Sequence, residues 1–180
     1  MLNKKILHVA LKAYNYATEH GDVKRKMLGV VDFTVNSLQK RLYIVDLRNK
    51  KVLAHYRVAH GANSGALFAK HFSNDPGSHM SSLGVFVTGK TYMGEYGYAL
   101  RLQGLEPGLN NNAAKRDIVL HGEWFLKPSV VDEHHEAGKS YGCFVVDPAK
   151  VKTVINYLKN GAVLFSYAQQ EDYDPRFMEH

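Results

Sequence analysis

The hydrophobic pattern changes period along the chain and divides it into regions. Leu2, Ile6, Val9, Ala10, Ala13 and Ala17 recur at helical intervals, and Gly21 follows the last of them. One apolar stripe of this kind predicts an amphipathic helix over residues 3–20, docked by a single face. From residue 28 the runs become those of strands: LGVVDFTV at 28–35, RLYIVDL at 41–47 and VLAHYRVA at 52–59. Arg48-Asn49-Lys50 supplies a turn between the last two, so the three runs form a meander that opens a sheet.

Residues 61–82 then lose periodicity and are rich in Gly, Ser and Asn. A loop of that length inside a compact domain is functional or mobile. Strands resume at 83–91 and 96–102, and a second irregular stretch covers 104–116. The apolar run Ile118-Val119-Leu120 predicts a strand leading to His121, followed by a third loop through Lys139 and a short strand from Cys143. Asp147-Pro148 offers an N-cap acceptor and a proline for the first helical position. A helix is therefore expected from about Pro148 to Lys159, stopped by Asn160-Gly161, with a closing strand at 162–167. The expected architecture is predominantly β, with one helix at the N-terminus and one near the C-terminus. Residues 1–27 are expected to pack as a helix on a single domain spanning 28–168, and 169–180 to form a loose acidic tail.

Composition narrows the function classes. With 180 residues and 45% hydrophobic content, the chain can build a core without disulfides or a structural metal. The eleven tyrosines suit strands better than a helical bundle. Lys and Arg number 23 against 17 Asp and Glu, a net charge of +6 that favours acidic partners such as nucleic acid, anionic lipid or a carboxylate-bearing wall polymer. The basic residues are scattered, however, and the densest cluster, Lys24-Arg25-Lys26, lacks interleaved aromatics. A nucleic-acid groove is not expected. No apolar run is long enough to span a bilayer. His8 and Lys12 interrupt the apolar start and no small-residue cleavage site follows, so residues 3–20 are expected to be a helix of the mature protein. Any export signal is expected to lie outside this sequence.

The single cysteine, Cys143, allows no intramolecular disulfide and leaves the redox compartment open. It sits in Ser140-Tyr141-Gly142-Cys143, at the exit of a long loop. A buried small hydrophobe and a nucleophile both fit it. For the second role, Gly142 allows a tight turn whose N–H groups converge beside the sulfur. A base is also needed, and His121 at a strand end is held more rigidly than His134 or His135, which lie in the acidic segment Asp132-Glu133-His134-His135-Glu136. Gly138-Lys139-Ser140-Tyr141-Gly142 formally matches G-x-S-x-G, but a strand follows where that motif needs a helix, and His180 is the only histidine after Ser140. A zinc site would have to combine Cys143, His121 and scattered histidines, without paired-cysteine or H-E-x-x-H spacing. No glycine-rich phosphate loop connects a strand to a helix.

His121-Gly122 followed by Ser140-Tyr141-Gly142-Cys143 resembles the signature of L,D-transpeptidase catalytic domains, the YkuD-like cysteine enzymes that cross-link peptidoglycan. The chain looks most like the murein L,D-transpeptidase catalytic domain branch. Supporting blocks stand at 59–65 (AHGANSG), 72–78 (FSNDPGS) and 82–89 (SLGVFVTG). The resemblance covers about residues 28–167. It implies a mainly β fold, a β-sandwich or mixed sheet, with the two helices above. It further implies Cys143 as the acylated nucleophile, His121 as its base and the Gly122 carbonyl orienting the imidazole. Ser140 would support the site, and the N–H groups of Tyr141, Gly142 and Cys143 would form an oxyanion hole. His60, Tyr92 and Trp124 are candidate substrate contacts. The partners implied are peptidoglycan stem peptides, with release of D-Ala, no metal and no organic cofactor, in an exported, periplasmic or wall-associated protein. L,D-carboxypeptidase action and non-catalytic wall binding are the alternatives. Many members carry arginine two positions after the cysteine, and the close branch places proline directly after it; here Phe144 and Val145 stand instead. Residues 61–82 and 123–139 are expected to form walls or lids of the cleft.

Overall fold

The computed structural model describes residues 1–169, so the expected tail, beyond its first residue, lies outside the described residues. Helix α1 runs Lys4–His20, and the Asn3 side chain accepts from the Lys5 N–H at 2.8 Å to cap its start. Its buried residues, Ile6, Val9, Ala10, Ala13 and Ala17, are the stripe that the spacing predicts.

Strands β1 (Met27–Asp32), β2 (Leu42–Asp46) and β3 (Lys51–Tyr56) form the expected antiparallel meander. β1 ends before residue 35 because Asp32 Oδ1 accepts from the Thr34 N–H at 3.0 Å and the Thr34 hydroxyl at 2.5 Å, which turns the chain. β4 (Gly84–Gly94), β5 (Gly97–Gly104), β6 (Val119–Gly122), β7 (Phe144–Val146) and β8 (Val163–Tyr167) complete one eight-stranded mixed sheet. Its order is β3-β2-β1-β8-β4-β5-β6-β7, with β1/β8 and β6/β7 parallel and the other pairs antiparallel.

Alternation divides the central strands between two cores. Leu28, Val30, Val85, Val87, Val163 and Phe165 pack with α1. Val31, Phe86, Leu100, Leu120, Phe144 and Leu164 pack with Val154, Ile155 and Leu158 of helix α3 (Val151–Leu158). Burial on both faces explains why these strands are nearly continuous apolar runs. Gly29 permits the close approach of α3, since a Cβ there would stand 2.7 Å from Leu164 Cδ1 and 3.2 Å from Leu158 Cδ1.

Two local expectations differ from the structure. The helix after Asp147-Pro148 starts later than Pro148, because Asp147 first closes a turn: its Oδ1 accepts from the Ala149 N–H at 2.9 Å, and its carbonyl accepts from Lys150 and Val151. Asn160 and Gly161, with φ of 62° and 92°, stop it where expected. Residues 123–139 are not a continuous loop. They hold a 3-10 turn, Trp124–Leu126, and helix α2, Pro128–His134, with Pro128 in its first turn. Val131 of α2 is buried with Ala59, Leu126, Ala137 and Val145, an anchor of about 2 kcal/mol of apolar burial beside β7.

Candidate active site

Parallel pairing of β6 with β7 sets Leu120 opposite Phe144 and His121 opposite Val145. Cys143, directly before β7, and His121 thereby line one open cleft together with Tyr96, Glu123, Phe125, Lys139, Ser140, Tyr141 and Val145. Phe144 points the other way. It is 1% exposed and packs against Phe86 and Phe33 with ring centroids 5.5 and 6.5 Å apart. The unusual residue after the cysteine is thus an anchor in the core that does not line the cleft.

The turn at 140–143 is held from several sides. The Ser140 N–H donates to the His60 carbonyl at 3.1 Å, and the Ala62 N–H donates to the Ser140 carbonyl at 2.7 Å. The Ser140 hydroxyl donates to the Cys143 carbonyl at 2.7 Å and accepts from the Gly142 N–H at 3.1 Å. Gly142 has φ +119°, and a Cβ on it would stand 2.6 Å from Ile118 Cδ1 and 2.8 Å from the Met80 carbonyl. Only glycine fits there. Of the three N–H groups expected to form an oxyanion hole, that of Gly142 donates to the Ser140 hydroxyl. Among the described residues, the N–H groups of Tyr141 and Cys143 take no such partner. The Tyr141 ring is 69% exposed and stacks on His79 at 4.0 Å.

Cys143 Sγ lies 3.5 Å from the Val119 nitrogen, which donates to it, and 3.4 Å from the Asp117 carbonyl. Burial pushes its thiol above the ordinary cysteine range; the Val119 N–H and Arg116 oppose that, and Asp117 adds to it. His121 is 4% exposed, and its Nδ1 lies 3.2 Å from the Gly122 carbonyl. A proton on Nδ1 satisfies that carbonyl and leaves Nε2 as a lone-pair acceptor. Burial holds the imidazole below its ordinary range, against the Gly122 bond and Glu123. Thiol and imidazole are therefore both disposed to rest neutral at pH 7. The Tyr96 ring stacks on His121 at 4.5 Å.

The remaining candidates fall elsewhere. His60 is 1% exposed with both ring nitrogens bonded internally, so it braces the turn from behind and presents nothing to the cleft. Tyr92 lies under the Arg101 guanidinium, 4.2 Å from ring centroid to Cζ, and Trp124 is 61% exposed beside Phe125; neither lines the cleft. His134 and His135 are exposed at the end of α2. Tyr96, Glu123, Phe125 and Lys139 line the cleft without having been singled out in the sequence. Tyr96 had a usable signal, since it lies between Gly94 and Gly97 at a hairpin tip. The segment at 123–139 contributes cleft wall; that at 61–82 meets the site through His79 and the bridge between Gly61 and Ser140. Among the described residues, no helix is long and apolar enough to cross a membrane.

A family model described as the L,D-transpeptidase catalytic domain matches residues 1–167. Comparison with curated proteins gave no match. Among solved structures, the chain is similar to L,D-transpeptidase 3 from Mycobacterium tuberculosis in complex with a faropenem-derived adduct (TM-score 0.52, 10% identity, covering 79% of this chain and 60% of that one). It is also similar to the helical cell shape determining protein Pgp2 from Campylobacter jejuni (TM-score 0.51, 12% identity, 88% and 56%). An L,D-transpeptidase from Mycobacterium smegmatis is matched at TM-score 0.47 and 13% identity, over 79% of this chain and 59% of that one. At such identities the likeness concerns the fold. The chain spans less than two thirds of the length of each of these proteins.

Proposed function

The chain belongs to the L,D-transpeptidase catalytic domain family, and on that footing we propose that it is a peptidoglycan L,D-transpeptidase acting through Cys143. The observation that carries this reading is the meeting of Cys143 and His121 in one cleft, with the Ser140 hydroxyl bracing the turn between them. Because both groups are disposed to rest neutral, His121 Nε2 takes the thiol proton as the sulfur attacks, acting as general base. The attacked carbonyl joins the L-centre of the diamino acid at position three of a tetrapeptide stem to the terminal D-Ala. The N–H groups of Tyr141 and Cys143 receive the developing oxyanion. The C–S bond forms, the C–N bond breaks, and D-Ala departs with the proton returned by His121. An amine of a second stem then attacks the thioester, a new C–N bond replaces C–S, and its proton returns through His121 to the thiolate. No metal or organic cofactor is needed for the balance.

A net charge of +6 suits an anionic wall polymer and an exported, periplasmic or wall-associated setting. The test is mass spectrometry of disaccharide-tetrapeptides incubated with the protein, with Cys143→Ala alongside. Cross-linked dimers and free D-Ala that disappear in the variant are expected. Tripeptides alone would make water the acceptor and the enzyme an L,D-carboxypeptidase. Untouched tetrapeptides with a folded protein would overturn the reading in favour of a wall-binding module.

A further inference from the structure

Arg116 has no part in the scheme above, yet its guanidinium lies directly behind the turn. Nη1 donates to the Ser73 carbonyl at 2.8 Å and the Ser82 hydroxyl at 2.7 Å. Nη2 donates to the Ser78 hydroxyl at 3.0 Å and the Met80 carbonyl at 2.7 Å. The same Nη2 stands 3.2 Å from where a Cβ on Gly142 would be. All four terminal hydrogens are thus committed to the segment at 73–82, which rules out a two-pronged grip on a substrate carboxylate.

We propose that Arg116 is a positioning residue for the Cys143 thiolate: it clamps the segment at 73–82 against the back of the turn and holds a fixed positive charge there. This rests on the reading of Cys143 as the nucleophile. A thiolate half-hidden from water needs a nearby cation, and the neighbouring elements offer few. Asp117, on the segment leading into β6, and Glu123, just after it, are anionic; His121 on β6 is disposed to be neutral. Tyr96 from the β4–β5 tip and Tyr141 at the cleft rim bring no cationic group, and His79, stacked on Tyr141, is a half-buried imidazole. Lys139 is tied to Glu136 at 2.5 Å. Burial holds the Arg116 guanidinium below its ordinary range, with Cys143 and Asp75 supporting its charge, and Arg116 in turn draws the Cys143 thiol down. Half-buried and held at both terminal nitrogens, the guanidinium is fixed in place.

The test is the pH dependence of Cys143 alkylation by iodoacetamide in the full chain, run beside the stem-peptide assay. Arg116→Gln is expected to slow alkylation at pH 7 about tenfold, with the midpoint about one pH unit higher. Arg116→Lys restores at least half of that shift. Ser78→Asp sets a carboxylate on the guanidinium without deleting it, and moves the midpoint upward too, which covers a Gln variant that fails to fold. Profiles that coincide in wild type, Arg116→Gln and Ser78→Asp overturn the proposal, as does a Lys variant no better than Gln. If stems are processed while the profiles coincide, the proposal fails and the transpeptidase reading stands. If the profiles separate while wild type leaves stems intact, the transpeptidase reading fails and the link between Arg116 and the thiol stands.

Discussion

His60 and His121 lie on either side of the turn at 140–143, both nearly fully buried and both held below the ordinary imidazole range chiefly by that burial. They differ in what their nitrogens have left to offer. His60 Nδ1 accepts from Arg41 Nη2 at 2.9 Å, and Nε2 donates toward the Gly65 and Ala66 carbonyls at 3.0 and 2.9 Å. Arg41 is itself fully buried, bonded to the Val58 and Val35 carbonyls, and pushed down to about 9 by burial with Asp32 opposing, so it stays charged at pH 7. His121 commits only Nδ1, to the Gly122 carbonyl at 3.2 Å, and lines the cleft with the rest of its ring. Burial and a depressed imidazole do not distinguish framework from chemistry. On the proposed mechanism, a ring nitrogen left free to face the cleft does.

The largest effect should come from His121→Gln: stem processing falls by about 10²–10⁴ in kcat/KM while the thermal midpoint stays near that of the parent. A near-normal rate would break the contrast. His60→Ala leaves an Arg41 hydrogen unpaired in the interior and should cost about 3 kcal/mol in denaturant unfolding, with the folded fraction still active. A large loss of rate without a shift in midpoint would place His60 in the chemistry instead. pH sharpens the comparison further. On the proposed mechanism neutral His121 is the base, so the acid limb of kcat/KM should have its midpoint below the ordinary 6.5. For stability, both histidines have folded pKa values below their unfolded ones, so the unfolded chain binds more protons in that window. Stability is then flat above about pH 6.5 and falls as pH drops toward the folded values, a slope that His60→Ala should reduce in thermal melts. The smallest effect is expected at Tyr96→Ala, which removes the ring stacked on His121 and should change kcat/KM by less than about tenfold, mostly in KM.

Much of this was legible in the chain. The stripe of α1, the meander of β1 to β3 and the strand ends at His121 and Cys143 follow from period alone, because each face is buried against its own core. Helix α2 escaped because its only fully buried residue is Val131, too little for a helical period, and its acidic surface imitates a loop. The burial of His60 was invisible for another reason: it depends on Arg41, which lies across the β2–β3 hairpin and is itself a residue type expected at the surface. Arg116, between Lys115 and Asp117 in an irregular stretch, acquires meaning only when residues 73–82 fold across it. Pairings between distant segments leave no local trace.

The last strand, β8, joins β1 on one side and β4 on the other, and in the strand order it alone connects β3-β2-β1 with β4-β5-β6-β7. A growing chain can therefore form two partial sheets early, each with an open hydrogen-bonding edge, but cannot unite them until residues 163–167 are available. Closure is a late, long-range event with a large loop entropy, so folding should be slow and cooperative at its final step. Until then the edges of β1 and β4 are exposed to other chains, and aggregation competes with completion.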